Sequence, residues 1–146
     1  MTECIFCKII SGEIPSSKVY EDEKVLAFLD ITQVTLGHTL VIPKEHVENL
    51  FEYDEELASE VFARIPKISR ALRKAFPDMQ GLNLMNNNGE VAYQSVFHSH
   101  IHLLPRYSKE DDFSIHFSNN MDKYDGTSLA EIAKRIAKEV EYHGRW

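Results

Sequence analysis

The sequence reads as an α+β domain, and three observations lead there. Strand-length apolar runs bounded by turn residues cluster in the first third of the chain and return in its second half. Between the two clusters lies a long segment with apolar residues at helical spacing. A second helical stripe follows the last strand. At 146 residues the chain fits one domain, 1–146, that can bury a core without a disulfide framework.

Each element has a local reason. Phe6–Ser11 suits one short helical turn, ended by Gly12 and followed by Pro15. Lys18–Glu21 and Val25–Leu29 read as strands around an Asp22–Glu23 turn. Thr39–Ile42 is a third strand, set off by Gly37 and closed by Pro43. Asp54 is a plausible N-cap, and Leu57, Val61, Ile65, Ile68 and Leu72 after it form one stripe. Pro66 interrupts that stripe and predicts a kink, or two helices meeting there. Gly81–Asn86 and Ser99–Leu104 read as strands joined by a polar loop, Asn87–Gln94. The stretch from Lys109 to Gly126 is polar and loop-like. Ser128-Leu-Ala-Glu131 is a capping box that opens a last helix with Leu129, Ile132, Ile136 and Val140 on one side.

The net charge of -7 argues against a dedicated nucleic-acid binder, which usually shows a basic face. It leaves a small nucleotide ligand open, because one pocket can be locally rich in N–H donors. The start MTECIFCKII lacks the basic n-region and long apolar run of a signal peptide. No stretch approaches the roughly 18 apolar residues of a membrane span. A soluble cytoplasmic protein is expected, with its two cysteines as thiols or metal ligands.

The most informative stretch is Phe97-His-Ser-His-Ile-His-Leu-Leu-Pro-Arg106. Three of the seven histidines fall within it at period two. In a strand they would share one face, at steps of about 7 Å. One histidine on a polar face needs no explanation. Three at this spacing point to a metal site or to nucleophilic catalysis, and spacing alone does not choose. Cys4-Ile-Phe-Cys7 is a second signal. A thioredoxin-like redox pair needs a preceding strand, and three residues leave no room for one. Zinc needs four N/S ligands, so two would have to come from elsewhere. His116 and His143 read as surface residues, and Arg106 as a solvated strand end.

Taken together, His98-Ser-His100-Ile-His102-Leu-Leu, the preceding Gln94-Ser95 and the Asn87-Asn88-Gly89 loop resemble the histidine-triad (HIT) family. Leu26-Ala-Phe-Leu-Asp-Ile31 and Gly37-His-Thr-Leu-Val-Ile-Pro-Lys44 add to the resemblance. It spans residues 4–106 and leaves 107–146 as a C-terminal extension with a helix. It implies an antiparallel sheet of about five strands with packed helices. It implies that His100 attacks a nucleotide α-phosphate and carries a covalent nucleotidyl group, with the backbone carbonyl of His98 orienting it. His102 and Ser95 would donate to phosphate, and His38 would set tautomers from below. Phe6, Ile9, Phe28 and Ile31 would form the base slot, Asp30 would hold the ribose, and Asn87 and Gln94 would lie at the phosphate end. The resemblance to bacterial members also implies a structural zinc on Cys4, Cys7, His46 and His98, and a homodimer. The substrate expected is a nucleoside phosphoramidate or a dinucleoside polyphosphate. Two rivals stand beside this reading: a purine-nucleotide-binding regulatory protein with incidental catalysis, and a metalloenzyme that uses the histidines as open zinc ligands.

Overall fold

The computed structural model describes residues 3–141, so His143 lies outside the described residues. Five strands form one antiparallel sheet: β1 (Lys18–Glu21), β2 (Val25–Leu29), β3 (Thr39–Pro43), β4 (Gly81–Met85) and β5 (Ile101–Arg106), in the order β1-β2-β3-β5-β4. The helices are α1 (Ile5–Ser11), α2 (Glu55–Ala75) and α3 (Gly126–Ala137). The chain divides between Ser114 and Ile115 into two compact units. The first holds the sheet with α1 and α2, and the second holds α3.

Period-two alternation in β2 and β3 sorts the core into two layers. Val25, Ala27 and Val41 join Ile101 and Leu103 of β5 under the buried stripe of α2, which is Leu57, Val61, Ile65, Ile68 and Leu72. Leu26, Phe28, Leu40 and Ile42 face the other way and pack against Phe6 and Ile9 of α1. A strand buried on both faces needs apolar residues at nearly every position, which is why Val25–Leu29 and Leu40–Pro43 read as unbroken apolar runs; the buried Thr39 hydroxyl before the second donates to the Gly37 carbonyl.

Three local readings change. α2 runs as one helix through Pro66, not as two. Pro66 lies on the exposed side of the helix, opposite the five buried residues. The carbonyl one turn before it is left to water, and the buried face holds the helix together. α3 is capped one turn earlier than expected: Asp125 accepts from the Ser128 backbone N–H at 2.8 Å and from its hydroxyl at 3.0 Å. An aspartate reaching the third N–H is the stronger signal here. β5 begins at Ile101, two residues later than the expected Ser99.

This last shift moves His98 and His100 out of the ladder. β3 pairs with β5 only from Thr39↔Leu103 to Val41↔Ile101. The following strand end is Pro43, which has no N–H to offer. Its carbonyl instead meets the His98 ring at 2.8 Å, and the Ser99 N–H goes to the Val47 carbonyl. Only His102 keeps strand geometry, yet all three imidazoles lie on the α1 side of the sheet: His98 and His100 both pack against Phe6, and His102 pairs with Leu40, which faces the same way.

The β2–β3 connection carries two site residues, Asp30 and His38. It turns at Gly37, where φ is 92°. A Cβ there would come within 3.1 Å of the Phe76 ring and 3.3 Å of Pro105, so both conformation and space demand glycine.

Candidate functional site

A cleft of about 710 Å³ opens on the α1 side of the sheet, lined by residues from α1, β2, the β2–β3 loop and the approach to β5. This is the size of a small-molecule site. Phe6, Ile9, Phe28, Asp30, Ile31, Ser95, His100 and His102 all line it. Phe6 packs edge-on against both Phe28 and His100, with ring centroids 5.5 and 5.1 Å apart. Ile31 lines the rim almost wholly exposed.

Hydrogen bonds fix the state of each histidine. His100 Nδ1 lies 2.8 Å from the His98 carbonyl. A carbonyl only accepts, so the proton is on Nδ1, and Nε2 keeps its lone pair. His38 Nδ1 accepts from the Val34 N–H at 3.3 Å. Its Nε2 therefore carries the proton and donates to His102 Nδ1 at 2.9 Å. His102 is left with its proton on Nε2. The cleft thus holds one imidazole presenting a lone pair beside one presenting an N–H, with ring centroids 5.1 Å apart.

Burial is the main cause that holds these rings neutral. It pushes His102 down to about 4, with the neighbouring His100 and His38 adding to the shift. It lowers His100 and His38 in the same direction, partly opposed by the His98 carbonyl and by Asp30 respectively. Asp30 behaves oppositely. Burial works against its charge, but the Thr32 hydroxyl and N–H on its Oδ1, at 2.6 and 2.8 Å, hold its carboxyl below the ordinary value. Asp30 therefore stays an acceptor.

Asp30, His38 and His102 also lie close enough to suggest a metal group. The hydrogen bonds oppose that use, because the His38 nitrogen facing the group carries a proton and has no lone pair to give.

His98 turns away from the cleft. Its Nε2 donates to Pro43, so its Nδ1 lone pair points at Cys4 Sγ (3.4 Å), Cys7 Sγ (3.6 Å) and His46 Nδ1 (3.2 Å). Cys7 Sγ is 3.4 Å from His46 Nδ1. The four ligand atoms lie within 4.8 Å of one another and could hold a metal ion. Residues far apart in sequence meet here because Cys4 caps α1, Cys7 lies in its first turn, and His46 follows β3.

Gln94 and Asn87 sit elsewhere. Gln94 is buried and its amide is fully engaged: it accepts from the Gly89 N–H and donates to the Glu48 and Val96 carbonyls. It shapes the loop that presents Ser95. The Asn87 amide rests 3.4 Å from the Tyr93 carbonyl. His116 is exposed. Arg106 is half-buried and tied to Asp111 and Asn83 at 2.9 and 2.7 Å, not a free strand end.

Three supporting residues escaped the sequence reading. Asn86 donates to the His100 carbonyl at 2.9 Å, and its place in the Asn86-Asn87-Asn88 run was the available signal. Gln33 donates to the Asp30 and His38 carbonyls and accepts from Gly37, which stitches the loop that carries both site residues. The Tyr53 hydroxyl lies 2.9 Å from Ser99 Oγ and steadies the backbone between His98 and His100. Nothing in the local sequence marks the last two.

A sequence model of the HIT domain family matches residues 11–109. Protein hit of Bacillus subtilis is 58% identical over 137 residues, 94% of this chain and 94% of that protein. Adenosine 5'-monophosphoramidase HNT1 of Candida albicans is 33% identical over 140 residues, 94% of this chain and 91% of that one. The crystal structure of a HIT family member from Bacillus subtilis superposes with a TM-score of 0.92 at 56% identity, covering 97% of this chain and 99% of that chain. A zinc-bound histidine triad family protein from Mycobacterium smegmatis superposes with a TM-score of 0.72 at 36% identity, covering 94% of this chain and 99% of that chain.

Proposed function

The chain belongs to the HIT domain family, and on that footing we propose that it is a nucleotide hydrolase or transferase working through a covalent nucleotidyl group on His100. The observation that carries this is the locked tautomer of His100, whose Nδ1 is held on the His98 carbonyl while Nε2 keeps a free lone pair. In the proposed reaction Nε2 attacks the α-phosphorus, the bond to the leaving group breaks, and water later displaces the nucleotide from His100. Attack makes the ring cationic, and its Nδ1–H bond to the carbonyl then becomes charge-assisted and stronger. His102 Nε2–H and the Ser95 hydroxyl are the donors for the phosphate oxygens, where fixed donors act on developing charge. Phe6, Ile9, Phe28 and Ile31 form the base slot, and Asp30 accepts from the ribose. The substrate is a nucleoside phosphoramidate or a dinucleoside polyphosphate, and the Candida albicans relative is named for the first of these activities.

Rapid quench into alkaline denaturant, which preserves an acid-labile P–N bond, after mixing with an adenosine phosphoramidate labelled in the nucleotide should leave the label on His100 in peptide mass spectrometry. Turnover without label, or label on another residue, sinks the mechanism. The pH profile is a second reading of the same assay. Burial lowers His100 from its ordinary 6.5, so the neutral nucleophile survives below that pH and the acid limb of kcat/KM should lie under 6.5. The stability sign follows from the same cause. The unfolded chain takes up protons first, so the contribution of neutral His102 is complete above about 6.5 and is lost as pH falls toward about 4.

We further assign a structural zinc to Cys4, Cys7, His46 and His98. A zinc tetrahedron with Zn–S about 2.3 Å and Zn–N about 2.0–2.1 Å has S–N edges near 3.5 Å and N–N edges near 3.4 Å. The separations of 3.2 to 3.6 Å support it, as does the zinc-bound relative. Burial, then the hydrogen bond and charge of Cys4, push the Cys7 thiol up to about 11. A divalent cation among the sulfurs would reverse that strain. All four positions are protein ligands, so the metal braces the fold and leaves no coordination place for substrate.

A homodimer completes the proposal. Leu129, Ile132, Ile136 and Val140 form an apolar stripe along and just past α3, and all are exposed. Sedimentation velocity at micromolar concentration should give twice the chain mass, and a monomer would refute it. No helix among the described residues is long and apolar enough to cross a membrane, which is compatible with the cytoplasmic placement we propose.

A further inference from the structure

The four-ligand cluster also fastens one wall of the cleft. Cys4 and Cys7 bracket the first turn of α1, and Phe6 between them sets its ring against His100. Ile9, in the same helix, lines the same cleft. The contacts that tie the two sulfurs to the rest of the chain reach His98 and His46, at separations of 94, 91 and 39 residues. A metal ion there cross-links α1 to the segment after β3 and to the stretch that carries His100. Both cysteines are only partly buried, so a small oxidant can reach them.

We propose that Cys4 and Cys7 are a redox-modification site: a peroxide converts the metal-binding pair to a disulfide, releases the metal and loosens the α1 wall of the cleft. The inference rests on the zinc and nucleotide readings above. One thiolate attacks hydrogen peroxide. An S–O bond forms, the O–O bond breaks, and hydroxide leaves. The second thiolate attacks the resulting sulfenic sulfur, so that the S–S bond forms, the S–O bond breaks, and a second hydroxide leaves. The sulfur pair loses two electrons and the peroxide gains them. Uncharged disulfide sulfurs no longer serve zinc, and two histidines alone do not fill a tetrahedron.

The structural consequence follows from where the new bond lies. The disulfide closes a loop of four residues within the start of α1 and holds nothing else. The long-range links to His98 and His46 are lost and not replaced. α1 then stays on the sheet only through buried apolar side chains such as Phe6 and Ile9. A helix of seven residues has little stability of its own, so the population with a formed slot falls, and apparent affinity falls with it.

The test uses the full chain loaded with one equivalent of zinc and treated with hydrogen peroxide. Zinc should pass to a colorimetric chelator in step with a mass loss of about 2 Da in the denatured chain. Amide exchange in residues 5–11 should rise about tenfold or more, and AMP should bind roughly five- to tenfold more weakly. Dithiothreitol with zinc should reverse all of these. Failure of the reduced chain to take up zinc would overturn the proposal. So would retention of zinc while glutathione at equal concentration is consumed, or a disulfide that leaves exchange in residues 5–11 unchanged. If the reduced, zinc-loaded chain does not bind AMP, the nucleotide reading fails, while zinc release and exchange still decide the switch.

Discussion

Replacing His100 with asparagine or alanine is expected to lower kcat by about 10³-fold or more while leaving nucleotide affinity within about threefold. The size follows from the role. A nucleophile that carries a covalent group has no substitute in the cleft, because the other imidazole there is already spent. His102 receives the His38 proton bond on Nδ1 and presents N–H on Nε2, so it cannot attack without reversing that chain. Affinity should be preserved because the residues proposed to hold the nucleoside, Phe6, Ile9, Phe28, Ile31 and Asp30, line the cleft independently of the His100 side chain. Asparagine is the better variant, since it fills part of the space against the Phe6 ring, 5.1 Å from His100. Single-turnover kinetics alongside titration with AMP separate the two quantities. Residual kcat above about a tenth of the parent would remove His100 from the role of nucleophile.

Cys4→Ser should cost the chain its metal and roughly 2–4 kcal/mol of stability, a fall of about 5–15 °C in Tm. Serine is chosen for a reason. Cys4 caps α1 by accepting the Cys7 N–H at 3.2 Å, and a serine hydroxyl keeps that bond. What remains is the loss of a ligand. Chelation should bring the parent chain down to the Tm of the variant and leave the variant unmoved. Metal content and Tm measured together check this, and full zinc occupancy in the variant would show the ligand set to be wrong. Turnover should fall less steeply than with His100, because His100 is oriented by the His98 backbone carbonyl and not by the ring that faces the cysteines.

Much of the architecture is legible in the sequence. The α+β reading stands, as do the five strands within two residues at each end and the α2 stripe. The reason is that strands buried on both sides and a helix buried on one leave their periodicity in the order of residue types. The His-x-His-x-His stretch and the Cys-x-x-Cys pair are legible for a different reason: their chemistry is carried by residue type. Capping was misread at Ser128 because two acceptors, Asp125 and Ser128, lay within one turn of each other. The two-helix alternative at Pro66 fails because the stripe on the opposite side continues unbroken through it and keeps α2 a single helix.

By itself the sequence determined which residues can do chemistry: an imidazole run, a thiol pair, a carboxylate after an apolar strand. The tertiary structure decided what each one faces. Pro43 ends the β3 ladder, its carbonyl takes the His98 N–H, and the first histidine of the run turns toward the cysteines while the other two enter the cleft. The tautomers of His38, His100 and His102 depend on backbone groups at Val34 and His98 and on one another. Such partners are matters of position and not of residue type, because every residue has a carbonyl and nearly every one an N–H. Which of them points at an imidazole is settled only when the chain is folded.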